Sequence, residues 1–272
     1  MTKYLLFYTF HKLNSLSINR LKQIKQMNPE ADIIPCFGAG RKTFLSKAPN
    51  TLILEINLKF YQSPYLQKYL LANGPRRLGQ KKINDIRIAL EKLGLKPYFD
   101  FTTLGYYNQD KVITNWFNAN GKKYDFDYLV YLEYDVFMTR SVKNIYDRYE
   151  KYDAAFVDFE KPASSWTWTK VPFGVKKTLY SWMRDNGYKP ELYKGFFPGH
   201  IVSRNALATI ASIQWPNGYC ELRLPTILKA MGFSCGRLPF PLVQLKEVPE
   251  PIIERYSSFG IFHPVRDEIV PS

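Results

Sequence analysis

The chain has 272 residues, of which 46% are hydrophobic and 16% aromatic, with 20 Tyr and 19 Phe. That much apolar side chain excludes wholesale disorder, and the length allows one large α/β domain or two small ones. The formal charge of +14 favours anionic partners such as nucleotides, phosphorylated lipids or an acidic membrane surface, with a plainly solvated Lys-rich surface as the other reading.

The basic residues are dispersed, with short clusters at Arg76-Arg77, Lys81-Lys82, Lys122-Lys123 and Lys176-Lys177. No long basic arm is present, so a specific nucleic-acid partner is not indicated. Cys36, Cys220 and Cys235 show no CxxC spacing, which argues against a zinc site or disulfide framework and for a reducing, cytoplasmic compartment. The opening MTKYLLFYTFHK is too short for a membrane span, which needs roughly 20 apolar residues. It also lacks a small-residue cleavage site. Any membrane contact is therefore expected to be peripheral.

In chain order, residues 5–10 (LLFYTF) read as a first strand. Residues 15–27 carry Leu16, Ile18, Leu21 and Ile24 at near-helical spacing and stop at Asn28-Pro29, the pattern of an amphipathic helix. Residues 31–37 (ADIIPCF) read as a second strand, with Pro35 marking an edge strand or a strand end. Gly38-Ala39-Gly40 is a turn without the third glycine of a dinucleotide fingerprint. Residues 51–56 read as a third strand, and strand–helix–strand in this order opens a parallel α/β sheet. Residues 65–72 and 81–93 read as helices. Residues 128–132 are a central strand and 153–158 another.

Residues 161–193 are rich in Trp, Lys, Pro and Gly without clear periodicity, and read as a lid or acceptor-binding insertion. A short strand at 201–203, a helix at 205–212 and a helix at 222–231, broken or started by Pro225, follow. No repeat, low-complexity tract or linker divides the chain, so residues 1–272 are expected to form a single domain.

The most informative stretch is 127–139, DYLVYLEYDVFMT. A buried strand runs into Glu133-Tyr134-Asp135, and burying two acids is costly unless a positive group meets them. A divalent cation is the simplest such group, because hard cations take carboxylate oxygens. Strand alternation would place Glu133 and Asp135 on one face, since side chains i and i+2 share a face. The competing reading is a salt bridge to a nearby base such as Arg140. Ligands of open parallel sheets bind beyond the carboxyl ends of the strands. A nucleotide is therefore expected against Tyr8, Thr9 and Phe10 at the end of the first strand and against Glu133, Tyr134 and Asp135. Trp166 and Trp168 suggest a surface on which sugar rings of an acceptor stack, or else two aromatics anchoring a loop. The chain has no P-loop, no His-Glu-x-x-His helix and no Gly-x-Ser-x-Gly elbow.

In order along the chain, these segments resemble the GT-A fold glycosyltransferases. YLVYLEYDVF is similar to their acid-x-acid strand end, usually Asp-x-Asp, with Glu133 standing in for the first Asp. GFFPGHIVSRNAL resembles the glycine-containing strand that faces donor sugar and acceptor, which brings in Gly199 and His200. GYCELRLPTILKAMGF resembles the segment carrying the general base of inverting members, which implies Glu221; a helix N-terminal charge is the alternative. GIFHPVR resembles the C-terminal segment where some members give a His to the metal, which implies His263; a packed His is the alternative. The helix bearing Lys81, Asn84 and Arg87 falls where these enzymes approach the base and diphosphate. The resemblance implies an α/β fold with a mostly parallel central sheet flanked by helices, a Mn²⁺ or Mg²⁺ ion held by Glu133, Asp135 and His263, and a nucleotide-diphosphate sugar as donor. It further implies inverting transfer to a hydroxyl of a glycan or lipid-linked acceptor, and the positive charge suits an anionic lipid-linked or polysaccharide acceptor at a membrane surface. A nucleotidyltransferase and a non-catalytic module binding anionic glycan or nucleic acid are the rival readings. The first normally carries a Gly-rich phosphate loop after strand one, and Tyr8-Thr9-Phe10-His11-Lys12 is not one.

Overall fold

β1 (Tyr4–Phe10) sends alternate side chains to two faces, and both faces are buried. Leu5 and Phe7 join one apolar cluster, while Tyr4, Leu6, Tyr8 and Phe10 join a second. A strand covered on both sides reads as a continuous apolar run, which is why residues 4–10 show no polar alternation. The computed structural model describes residues 2–38, 80–100, 108–164, 166, 169, 175–216, 218–244 and 246–266. The strand expected at 51–56, the helix expected at 65–72 and most of the Gly38-Ala39-Gly40 turn lie outside these residues.

Among the described residues a seven-stranded sheet has the order β3-β2-β1-β4-β7-β6-β8. Its members besides β1 are β2 (Asp32–Gly38), β3 (Tyr98–Asp100), β4 (Tyr128–Glu133), β6 (Ala154–Glu160), β7 (Lys194–Ser203) and β8 (Cys235–Leu238). β3, β2, β1 and β4 pair in parallel, and β6 pairs β8 in parallel. β7 alone runs against its neighbours β4 and β6. The expected mostly parallel α/β sheet is thus present. Six strands point their carboxyl ends to one edge, and on that edge the chain changes direction of winding between β1 and β4.

Helices cover both faces. On one lie α3 (Gln109–Ala119), α5 (Val175–Asp185), α6 (Arg204–Ala211) and α7 (Cys220–Ala230), through Trp116, Leu179, Leu207 and Ile227. On the other lie α1 (Ser15–Met27), α2 (Gln80–Glu91) and α4 (Val142–Tyr146), through Ile24, Leu90 and Tyr146. α1 starts where expected because Asn14 and Ser17 form a reciprocal capping box, which satisfies two orphan donors of the first turn. A short α8 (Glu250–Arg255) and a two-stranded ribbon of β5 (Phe137–Met138) with β9 (Ile261–Phe262) complete the described elements.

Several expectations change. β2 is internal rather than an edge strand, but β3 first pairs it at Cys36, so Pro35 lies just before that ladder begins and breaks none of its pairings. The strand expected at 201–203 extends back to Lys194, because Gly195 and Pro198 interrupt its pattern without ending it. Pro225 neither starts nor breaks α7, which begins at Cys220 and carries the proline inside. The expected insertion at 161–193 holds α5, whose Leu179 and Met183 are fully buried; two apolar positions one turn apart left too faint a period to read. No described helix is long and apolar enough to cross a membrane.

Candidate active site

Glu133 closes β4, and the chain turns at once, with the N–H of Val136 donating to the carbonyl of Glu133 at 3.0 Å. Asp135 therefore does not share a strand face with Glu133, as alternation predicts. The turn brings it round beside Glu133 instead.

A third group arrives from the C-terminal segment. β9 pairs β5 with Phe262 opposite Phe137, which delivers His263 to the acidic turn. The N–H of His263 donates to the carbonyl of Leu242 (3.0 Å), and its carbonyl accepts from Gln244 (2.9 Å). Its Nδ1 faces the Gln244 carbonyl at 3.2 Å, so Nδ1 carries the proton and Nε2 is left towards the acids. Nε2 lies 3.3 Å from Asp135 Oδ1 and 3.7 Å from Glu133 Oε2.

The donor atoms of these three residues all fall within 4.8 Å of one another. Ligand atoms about 2.1 Å from a shared cation sit roughly 3–4 Å apart, so the trio fits a divalent ion after a small contraction. Asp135 is only 4% exposed, and its Oδ1 is buried without a hydrogen-bond partner. That oxygen is met either by a proton on His263 Nε2 at 3.3 Å or by a cation that takes the proton's place. Burial disfavours a charged His263, but hydrogen bonds to Asp135 and Glu133 and the charges of both outweigh it, and its pKa is pushed up to about 10. Without an ion, the two acids thus favour the protonated imidazole.

The salt-bridge alternative involves different bases. Arg140 donates to the Ser258 carbonyl at 3.3 Å and does not pair with either acid. Arg266 Nε stands 3.7 Å from Asp135 Oδ2 and is largely exposed. Arg20 of α1 is buried beneath the turn, stacked 4.4 Å over the Phe137 ring. Gln109, the first residue of α3, donates to Glu133 Oε1 at 2.7 Å. None of these three was anticipated. Arg20 had a signal, since Ser17 and Arg20 fall on the same buried face of α1 as Leu21 and Ile24. Gln109 had none.

Glu221, in the first turn of α7, is 7% exposed and accepts from the Phe197 N–H at 3.3 Å. Burial raises its pKa, the Phe197 bond opposes this, and the charge of Glu133 raises it again, to about 8. Glu221 thus feels both Glu133 and His263 electrostatically.

The remaining expected site residues separate. Tyr8 is fully buried and donates to the Ser17 carbonyl at 3.0 Å, and Phe10 is buried in the same cluster; neither offers a surface to a nucleotide. Thr9 is half-buried and bonded to Tyr131 Oη at 2.9 Å. Tyr134 is half-buried, with His11 edge-on at 4.9 Å. Lys81 and Asn84 are exposed on α2. Trp166 packs against the α3 face of the core, with Lys194 Nζ 5.8 Å from its ring centroid; Trp168 lies outside the described residues.

Gly199 and His200 are not acceptor contacts. Gly199 has φ of +77° and would place a Cβ 2.7 Å from Ile261 Cδ1, while its carbonyl accepts from Tyr146 Oη at 2.7 Å. The left-handed φ, which other residues rarely adopt, is what favours glycine here. His200 has no exposed surface and is stacked between the rings of Tyr131 and Phe156. Asp158 is exposed and paired with Arg237 at 2.9 Å.

No protein-family model and no curated protein matches the sequence. Among solved structures, the chain is similar to apo mouse xyloside xylosyltransferase 1, with a TM-score of 0.42 and 8% identity, covering 96% of each chain. It is similar to the galactosyltransferase LgtC in complex with donor and acceptor sugar analogues, with a TM-score of 0.36 and 9% identity over 86% of this chain and 72% of that one. It is also similar to the mannosyltransferase Ktr4p from S. cerevisiae, with a TM-score of 0.33 and 11% identity over 86% of this chain and 66% of that one.

Proposed function

We propose that this protein is a metal-dependent glycosyltransferase that moves a sugar from a nucleotide-diphosphate donor to a hydroxyl of a glycan or lipid-linked acceptor, with inversion. One observation carries the reading. Two carboxylates from the middle of the chain and an imidazole from its C-terminal segment converge at the carboxyl edge of the sheet, at the end of the paired strands β1 and β4, with the buried Asp135 Oδ1 turned towards His263 Nε2 at 3.3 Å. That edge is where open α/β sheets take their ligands.

Glu133, Asp135 and His263 would hold the ion, and the mixed oxygen and nitrogen donor set suits Mn²⁺ better than Mg²⁺, which prefers oxygen alone. A divalent ion there would offset the negative charge that builds on a diphosphate leaving group. Tyr134, between the two acids, and Thr9, at the end of β1, border the same edge. Glu221 is assigned the acceptor's proton. The net charge of +14 suits an acceptor that is anionic or held at an anionic surface. The single-domain organisation, with residues 161–193 on the acceptor side, belongs to the same proposal.

The test is a thermal-shift screen of UDP, GDP, CDP and dTDP, each alone and with Mn²⁺ or Mg²⁺. A ligand selective for the folded state raises the melting temperature by mass action. A shift from one diphosphate that needs the ion, and that Asp135→Asn abolishes, is the expected result. Nucleotide binding that is unaffected by Asp135→Asn and by metal would instead favour the non-catalytic module.

A further inference from the structure

Gln109 is buried at the start of α3, with 8% exposure. Its amide nitrogen donates to Glu133 Oε1 at 2.7 Å, and its amide oxygen accepts from the Cys220 thiol at 3.8 Å. The two contacts define the amide's orientation, because a carboxylate only accepts and a thiol is the donor in the second. The next residue, Asp110, is gripped by the buried Arg223 guanidinium of α7, with Nε to Oδ2 at 2.7 Å. The start of α3 is therefore locked to α7, and the Gln109 side chain has little freedom to leave Glu133.

The consequence falls on the carboxylate. One oxygen of Glu133 is occupied by Gln109, and the other faces His263 Nε2 at 3.7 Å. Building on the proposed metal site, we infer that Gln109 is a positioning residue that holds Glu133 as a one-oxygen ligand. The same geometry accounts for a glutamate where the resembled family usually has aspartate. A side chain one methylene shorter cannot keep the Gln109 bond and still present an oxygen to the ion. Glu133→Asp, although it restores the commoner motif, should weaken the site.

The experiment is Mn²⁺ titration of the full metal-free chain by calorimetry, with melting temperature recorded before metal is added. Groups that orient ligands typically govern about 10–100-fold in metal affinity. Gln109→Met, which keeps the volume and removes the donor, is expected to lose affinity in that range with a nearly unchanged metal-free melting temperature. Glu133→Asp is expected to lose a similar factor. Combining it with Gln109→Met should cost little more, because both remove one interaction. Gln109→Met binding Mn²⁺ within twofold of wild type would overturn the inference and leave the metal reading standing. Tighter binding by Glu133→Asp would overturn it too, and that arm does not depend on the Gln109 variant folding. Wild-type protein that binds no divalent ion would remove the metal reading, and this inference with it.

Discussion

The backbone N–H of Val265 donates to the carbonyl of Asp135 at 2.7 Å. The acidic turn and the C-terminal segment are thus joined main chain to main chain, two residues beyond His263. Arg20 reinforces the junction from α1, reaching the Val265 carbonyl at 3.5 Å while it stacks on Phe137. His263 is therefore held by structure on both sides of it in sequence. A ligand set built on such joined elements is pre-arranged rather than assembled by the ion.

That arrangement sets a pH dependence for metal binding. His263 has its pKa pushed up to about 10 from an ordinary 6.5, so below about 10 a cation must displace the proton from Nε2. Metal affinity is expected to rise about tenfold per pH unit as pH increases through the neutral range, with one proton released per ion. Calorimetry in buffers of different ionisation heat reads both quantities. His263→Gln should flatten the profile, and a flat wild-type profile would remove His263 from the ligand set. In the metal-free protein the same raised pKa stabilises the fold fully below 6.5, and that stability is lost as pH rises through about 10.

How much of this was readable from sequence depends on range. β4 and its two acids were legible because an uninterrupted apolar run ends in charge, and α1 because its cap and its period agree. The geometry joining the acids was not, since a turn at Tyr134-Asp135 and a continuing strand share the same residue types. His263 came only from a resemblance, because nothing near it in sequence advertises two carboxylates more than a hundred positions away. α3 was overlooked although Val112, Ile113, Trp116 and Phe117 form a helical stripe. The acceptor role of His200 rests on the resemblance of its segment to a glycine-containing strand, whereas in a strand covered on both faces it shares the face of Val202 and leads into the core.

Glu221 sits where burial and the charge of Glu133 raise its pKa to about 8. A group that must accept a proton works only when ionised, so transfer at saturating metal is expected to climb with pH through a midpoint below the metal-free value of about 8, because a bound cation offsets the Glu133 charge that helps to raise it, and then to level. Glu221→Gln is expected to lose most turnover while its thermal shift with donor diphosphate and Mn²⁺ persists. Turnover unchanged by that substitution would end its assignment as base. The anomeric configuration of the first-formed product, read by NMR, decides inversion separately.

Arg223 ties the start of α3 (Asp110, and Asn108 Oδ1 at 3.1 Å) to the loop before α7 (the Gly218 carbonyl at 2.9 Å). Both members of its pair with Asp110 are essentially unexposed. Arg223→Met leaves Asp110 as a buried carboxylate without its guanidinium, a change that typically costs about 3–5 kcal/mol. Adding Asp110→Leu should restore part of that loss, because no charge is then stranded. Urea unfolding of the two single variants and the double variant checks this. A double variant as unstable as the sum of the singles would mean the pair acts through something other than mutual charge compensation.

His200 supplies a stability effect of opposite sign to that of Glu221. Its Nδ1 donates to the Phe197 carbonyl at 2.6 Å, its Nε2 is buried without a hydrogen-bond partner, and aromatic rings cover both faces. Burial lowers its pKa to about 4 from 6.5, and the Phe197 bond only partly opposes this. Between these values the unfolded chain takes up a proton that the folded one refuses, so the His200 contribution falls as pH drops from 6.5 towards 4. The full shift corresponds to ~3 kcal/mol. Glu221 does the reverse, since its folded pKa lies above the unfolded 4.5; it favours folding below 4.5 and loses that contribution as pH rises through about 8. In metal-free wild type the two slopes largely cancel between about 4.5 and 6.5, where His263 adds none because both states hold its proton. His200→Phe keeps the stacked ring and removes the titration. The variant is therefore expected to gain stability on acidification from pH 6.5 to 5 while wild type changes much less. Parallel curves for the two proteins in urea unfolding would mean that His200 is charged in the fold.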